Sequence, residues 1–523
     1  MKGFKQGLCM ALCLGMALSC LAGCSGKNPS LDLSDEVYET SEWEITGGDA
    51  EGGTYTSVTG GTGDNGSGSD KTSTDGTNSD SPWEKSDEAI DRDIGDPFSV
   101  DLQGKTMVIY GMEEPDQSAS KAEKAKYDLF SKIQKEMNCK ISFVESTFEK
   151  TKEKLILNSM SNTYFADIVS MQQYGVLNVV TSKLLHDMGK VTTVSLAEPY
   201  MNAAGGVDAF HLGSGFWAVN DPLGVNGIVP CLVFNKRIMK EVTSDSGIAS
   251  KADENYPYTL MEQNKWTVSE LRKLNKAATK ELNGDGKMDE NDQWGMIQVD
   301  IGTAGFGTLL ESMGVDMLLN EKGTLKYNME DPKVIDAINL GADLFYNDKA
   351  VISLMDEDGK KSFMSGHSLF YSGYLGVVTE IADMKDDFGV VPFPRGDSEK
   401  SYSTAVNWNL QSLMLPGSLD SSRLKLAGAL LQAYCLGAQD VVKQEHNEWG
   451  VRYLRDEESK DNLWTIYSSA DTPAANAASA GTEIQEGTWR VCYDIASKSA
   501  VSTIQANKSA AIKAIDDINK KLK

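Results

Sequence analysis

Three features of the 523-residue sequence predict an α/β fold divided into two lobes. Short apolar runs alternate with helical patterns from residue 105 onward. A Gly/Pro-rich stretch at 215–242 then leads from one such series into another. Finally, the chain is too long for one compact core, since roughly 100–200 residues per domain is usual.

The first series reads "KTMVIYG" as a strand, a polar helix over 118–137, "CKISFVE" as a strand, a helix over 149–160, and "ADIVSMQ" as a strand. Strand-helix-strand order implies a parallel sheet, with ligands beyond the carboxyl ends of its strands. Two of those ends are "YGMEEPD" (110–116) and "MQQYG" (171–175). The second series opens with "VPCLVFNK" and a new helix. In "KWTVSELRKLNKAATKELNG", Thr267 and Glu270 form a T-x-x-E capping box ahead of Leu271, Leu274, Ala278 and Leu282 at helical spacing. A helix at 331–347, the turn "FMSGHSLFYSG", the strand "DFGVVPFPRGD", the strand-like run "YSTAVNWNLQSLMLP" and a helix-rich tail follow.

The first 23 residues read as a signal peptide, with Lys2 and Lys5 before an apolar run from Leu8 to Leu18. Residues 24–100 read as a linker. From 25 to 100 there are 18 Asp/Glu against 4 Lys/Arg, and 47–81 is nearly all Gly, Ser, Thr, Asp and Asn. Such a segment cannot bury enough surface to fold; its r.m.s. span is about 45–50 Å. The net charge of −26 excludes nucleic acid as a partner. Beyond Cys24 the cysteines are Cys139, Cys231, Cys435 and Cys492, without CxxC spacing, and are expected free and buried. No catalytic residue is expected. His186, His211, His367 and His446 are scattered, and G-x-S-x-G, H-E-x-x-H and the G-x-x-x-x-G-K-[ST] loop are absent from the sequence. "GTAGFG" (302–307) lacks dinucleotide-binding spacing and reads as a strand-to-helix turn.

Two resemblances build on these segments. Leu21-Ala22-Gly23-Cys24 resembles the lipobox of bacterial lipoproteins, which implies diacylglycerol on the Cys24 thiol and a lipid anchor at the extracellular face of a Gram-positive cell membrane. The body, 101–523, resembles the family 1 extracellular solute-binding proteins of bacterial ABC importers, a group that includes maltose-binding protein. The resemblance rests on "FADIVSM", "GFWAVN", "LVFNKRIMKE", "KWTVSELRKLNKAAT", "FMSGHSLFYSG" and "FGVVPFPRG" in that order. It implies a periplasmic-binding-protein-like (type II) fold with discontinuous lobes. Residues 101–230 and 388–440 would form lobe 1, and 231–387 and 441–523 lobe 2. It further implies a monomer that closes on a sugar or oligosaccharide in an interlobe cleft and delivers it to ABC permease subunits, without being an enzyme. The alternatives are a secreted carbohydrate hydrolase, or a surface sensor or adhesion protein on the same fold.

Sugar recognition needs flat rings for pyranose C–H faces and planar amides or carboxylates for hydroxyls. Strand-end and crossing loops supply Glu113, Gln172, Gln173, Tyr174, Trp217, Asn220, Tyr371, Tyr374, Asn407 and Trp408. Alternation along "VNWNL" groups Trp408 with Val406 and Leu410, so core packing weighs equally with stacking there, while Trp266 and Trp294 read as core.

One motif stands apart. "ELNGDGKMDEND" (281–292) lays Glu281, Asn283, Asp285, the Lys287 carbonyl, Asp289 and Asp292 on the ligand positions of a calcium loop, with Gly286 at the sharp turn. Glu281 and Asp292 depart from the usual Asp and Glu at the first and last positions. A helix enters but a strand leaves, and there is no second loop, so a structural Ca2+ rather than a switch is expected.

Overall fold

The computed structural model describes residues 81–245, 247–478 and 482–523. Cys24, the signal peptide and the linker up to residue 80 lie outside the described residues. From β1 (Thr106–Tyr110) the chain runs through α1 (Lys121–Glu136), β2 (Lys140–Val144) and α2 (Phe148–Ser161) to β3 (Ile168–Gln172). β1 pairs in parallel with both β2 and β3. Ser120 and Thr147 cap the two helices through Glu123 N–H and Lys150 N–H, which stops each helix from extending back into the strand before it.

After β4 (Val219–Asn220), α3 (Pro222–Ile228) leads into β5 (Pro230–Asn235), the first strand of a second sheet. α4 (Val268–Ala278), β6 (Trp294–Gln298), β7 (Val351–Ser353), β8 (Ser368–Tyr374) and β9 (Phe388–Pro392) follow, and β10 (Gln411–Met414) returns to the first sheet. The sheet orders are β2-β1-β3-β10-β4 and β7-β6-β8-β5-β9. Two lobes with a discontinuous chain are therefore present, but the expected boundary at 388 is wrong. β9 pairs antiparallel with β5, Phe388 opposite Asn235, so the chain regains the first sheet only at β10. The reason is that Phe388, Val390 and Val391 are all fully buried on the second lobe, which a strand-like run cannot reveal by itself.

The boundary at 440 falls inside α5 (Ser421–Arg452), whose 32 residues span about 48 Å. Its first half packs Leu430, Leu431 and Tyr434 into the core of lobe 1 with Met107, Ile109 and Ile133. Its second half enters a different cluster, where Val442 and Trp449 meet Val225, Val229, Val378 and Tyr467. α6 (Glu457–Ser468) then lies against β9, and α7 (Ala500–Lys521) closes the second lobe, burying Ile504 and Ile515. The chain thus crosses between lobes through α3, through 393–410 and along α5.

Other expectations met mixed outcomes. All four described cysteines are free and buried. Trp266 is fully buried, donating Nε1–H to Pro392 O at 2.9 Å, and Trp294 is buried too. His446 is half-buried and bonded to Asn226 Oδ1 at 2.6 Å, and desolvation pulls its imidazole down to about 4. The capping box does not form. Thr267 is the N-cap of α4 but makes no side-chain cap bond; Asp397 instead accepts from Ser269 N–H at 3.4 Å and from the Ser269 hydroxyl. The linker also ends earlier than residue 100, because Trp83, Ser86 and Phe98 are buried against the body.

The start of β3 is held by one buried ion pair. Asp167 is wholly buried and accepts from Arg423 Nε–H (2.6 Å) and Nη2–H (2.8 Å), Val108 N–H (2.7 Å) and Tyr164 Oη–H (2.8 Å). The pair ties the start of β3 to the start of α5. Removing one member leaves an uncompensated buried charge. Asp167→Ala is therefore expected to cost about 3–5 kcal/mol of stability, read as a fall in denaturation midpoint; a midpoint within error of the parent would refute this role.

Candidate functional site

Parallel strands put their carboxyl ends on one edge of a sheet, and the residues after them line the space beyond. In lobe 1 these are Glu113, Phe148 and the run Gln172 to Gly175; in lobe 2, Asp300 follows β6 and Tyr374 ends β8. The 393–410 crossing joins the two edges. Its turn is closed by Leu410 N–H to Asn407 O and Asn409 N–H to Asn407 Oδ1, both 3.0 Å. Gln173 Nε2–H donates to Asn407 O at 2.7 Å, while Asn407 Nδ2–H donates to Tyr374 Oη. Tyr374 Oη–H in turn donates to Asp300 Oδ2 at 2.6 Å. Burial, then the Asp300 carboxylate, push the Tyr374 phenol far above its ordinary range, so it remains a donor.

Aromatic surface lies beside this chain. Phe148 and Tyr174 stack at 4.6 Å, and Trp408 stands edge-on to Tyr174 at 5.0 Å with 46% of its surface exposed. Across the cleft, Asp300 caps a π-helical turn, Ile301–Gly307, by accepting from Gly302 N–H at 2.8 Å. A Cβ on Gly302 would lie 2.1 Å from Tyr493 Oη, and one on Gly307 2.9 Å from the Trp489 ring. The glycines of "GTAGFG" therefore let two aromatic side chains approach the turn. Gln173 Oε1 and Gln298 Oε1 are buried here without a hydrogen-bond partner, two acceptors that call for an explanation.

The structure brings together Gln173, Tyr174, Tyr374, Asn407 and Trp408, with Gln172 on the same edge and Glu113 exposed after β1. Three other candidates belong elsewhere. Asn220 is fully buried, donating to Ala203 O (3.1 Å) and Thr472 Oγ1 (2.9 Å) and accepting from Ser412 Oγ–H. Tyr371 sits inside the second lobe against Phe363, 5% exposed. Trp217 is half-buried over its own hairpin, its Nε1–H on Leu212 O at 2.8 Å. Trp408 is exposed because the turn at 407–410 breaks the strand, so alternation does not hold there. Asp300, Phe148 and Tyr493 were missed. The rule that selected Gln172, a polar residue ending a strand, would equally have selected Asp300 in "WGMIQVD".

The acidic loop lies at the other end of β6, roughly 20 Å of extended chain from Asp300. Lys280 and Gln293 close it as an antiparallel bridge, and Trp294 Nε1–H holds Asp289 O at 2.8 Å. Asp292 is buried, and both its oxygens accept backbone N–H groups, Leu282 and Asp289, each at 2.8 Å; these hold its carboxyl below the usual range. Glu281 and Asn283 accept from Asp285 N–H, and Asp285 from Lys287 N–H. Among the described residues, no three His, Cys, Asp or Glu side chains gather around one point as metal ligands. The loop holds its shape through its own hydrogen bonds.

Tyr374 links the Asp300 carboxylate to the crossing, so Tyr374→Phe leaves Asp300 and Asn407 each short of a partner. A loss of about 1–3 kcal/mol is expected from each group left unpaired in a buried place, measured by denaturant unfolding. An unchanged midpoint would show that water takes over both bonds.

No family model matches the sequence, and no curated protein matches it. Solved structures do match by shape. A cyclo/maltodextrin-binding protein complexed with maltotetraose superposes with a TM-score of 0.52 at 15% identity, covering 80% of this chain and 96% of the other. M. tuberculosis UspC superposes with a TM-score of 0.54 at 13% identity, covering 78% and 100%. The chain has the two-lobed, periplasmic-binding-protein-like fold of these proteins.

Proposed function

We propose that this chain is the solute-binding component of an ABC importer and captures a carbohydrate, of oligosaccharide size, between its lobes. The observation that carries the reading is the pairing of an aromatic surface, Phe148, Tyr174 and Trp408, with the polar chain Gln173–Asn407–Tyr374–Asp300 at the strand ends. Rings cover pyranose C–H faces, while the half-buried Asp300 carboxylate accepts from hydroxyls. The maltotetraose complex of a protein with this fold supports the class of ligand. Closure of the lobes on the sugar would be stabilised by the ligand's preference for the closed form, which permease subunits then read. The sequence of the first 24 residues supports a lipid anchor at Cys24 and an extracellular position. Among the described residues, no helix is long and apolar enough to cross a membrane.

Maltodextrins of increasing length are expected to raise the Tm with the logarithm of their concentration, about 2.7 kcal/mol at one hundred times Kd. Trp408→Ala should weaken that binding by roughly tenfold, about 1.4 kcal/mol, in keeping with the worth of an aromatic contact. If no glycan raises the Tm, the carbohydrate reading fails. If new reducing ends appear, the chain is a hydrolase.

We also propose that the 281–292 loop takes Ca2+. Five oxygen-bearing side chains at the ligand positions of a twelve-residue loop support this, and the carboxylates of Glu281 and Asp285, now on backbone N–H groups, are exposed enough to swing inward. Millimolar Ca2+ should raise the Tm relative to chelator without changing glycan binding, because the loop is remote from the cleft. An identical Tm in chelator and Ca2+ would remove the metal.

A further inference from the structure

The segment just before lobe 1, residues 82–96, is not used by the cleft, yet it is built into the molecule. Ser86 Oγ–H donates to Asp208 Oδ1 at 2.5 Å, Glu88 Oε2 meets His211 Nδ1 at 2.8 Å, and Asn202 Nδ2–H donates to Glu84 O at 3.2 Å. Farther along, Arg92 N–H donates to Ser195 Oγ at 3.1 Å and its Nη1–H to Val194 O at 2.8 Å. All of these partners belong to lobe 1. Trp83 does not. Its ring lies 4.8 Å from that of Tyr467 on α6, the helix that packs on β9 of lobe 2, and both sit in the apolar cluster that includes the α3 crossing. Tyr467 Oη–H in turn donates to Pro222 O, the first residue of α3, at 3.1 Å. The strap therefore holds lobe 1 by its polar side chains and reaches lobe 2 by one buried tryptophan.

Beside the strap is a cavity of about 840 Å3 that is lined by all the parts involved, among them Trp83, Asn202, Asp208, Asn320, Tyr402 and Asp471. Asn320, from lobe 2, spans it to lobe 1 by donating to Asp208 O and His211 O at 3.0 and 2.8 Å. From Asp471 the chain runs directly to the cleft: 470–471 pairs with 404–405, and Asn476 Nδ2–H donates to Val406 O at 2.9 Å, one residue before Asn407. The segment 470–478 thus joins the wall of this cavity to the turn that presents Trp408.

We propose that residues 82–96 are a hinge restraint, with Trp83 as its wedge, so that docking of the strap and closing of the cleft are coupled. A contact that straddles two moving bodies must change in free energy when they move, and the coupling is reciprocal: whatever favours one lobe arrangement changes the hold on Trp83, and release of Trp83 changes the lobe equilibrium.

The test uses the whole mature chain with one spin label on each lobe, at Lys152 and Lys333, and compares the parent with Trp83→Ala. Trp83→Ala is expected to broaden or displace the interlobe distance distribution without any ligand. That measurement does not depend on the carbohydrate reading, although the next one rests on it. With maltotetraose as probe, Trp83→Ala should change the dissociation constant by roughly fivefold or more, the low end of coupling between sites. Hydrogen exchange at 83–92 in the parent should differ with and without the sugar. Should Trp83→Ala fold poorly, Ser86→Ala with Glu88→Gln releases the lobe 1 side and must give the same broadening. An unchanged distance distribution in a variant whose strap exchanges freely would overturn the restraint. If maltotetraose binds neither protein, only the carbohydrate reading fails.

Discussion

The main-chain carbonyl and side-chain amide of Asn407 are the point on which the two halves of this molecule agree. The carbonyl closes a turn and receives Gln173 from the edge of the first sheet, while the amide reaches Tyr374, and through it Asp300, on the edge of the second. A turn of this kind satisfies its own backbone groups, so residues 407–410 of the crossing can leave the strand pairing made by 404–405. It also breaks strand alternation at the one residue, Trp408, that would otherwise be drawn into the core. The exposed ring and the ordered polar chain are thus two results of a single constraint.

Around that point the lobes are held by different physics. Lobe 1 is organised by a buried ion pair, Asp167 with Arg423, in which each oxygen of the carboxylate has at least one donor. Such a pair is costly to bury and costlier to break, which favours a single register for β3 and α5. Lobe 2 relies on aromatic packing, with Phe234, Trp266 and Phe370 near one another behind the sheet. The third cluster belongs to neither lobe alone. It gathers α3, the end of α5, α6 and Trp83, so the apolar interior continues through the hinge.

The acidic loop shows how far a motif reaches. Its residues form the turns that the spacing implies, with positive φ at Gly284 and Gly286, and the following segment is a strand. What the motif cannot convey is the direction of each carboxylate, and Asp292, at the last ligand position, points both its oxygens at the loop's own backbone. The capping box of α4 is a similar case, since a carboxylate distant in sequence, Asp397, caps the first turn at Ser269 N–H where the Thr267 hydroxyl makes no cap bond.

What depends on neighbours within a few residues is legible in the sequence: the alternation of strands and helices, the parallel sheet, and the strand ends where Gln172, Tyr174 and Tyr374 stand. Periodicity is local, so it survives without knowledge of the fold. Only the tertiary structure decided that Asn220 and Tyr371 are buried supports, that β9 belongs to lobe 2, that residues 82–96 are bound, and that Asp300 and Tyr493 face the same cleft as Trp408. These placements are fixed by partners far away in the chain: Asn220 meets Thr472 and Ser86 meets Asp208 across more than a hundred residues, and Asp300 meets Tyr374 across 74. A pattern within a few residues holds no record of such contacts, because burial is a property of the packed lobes and not of any one segment.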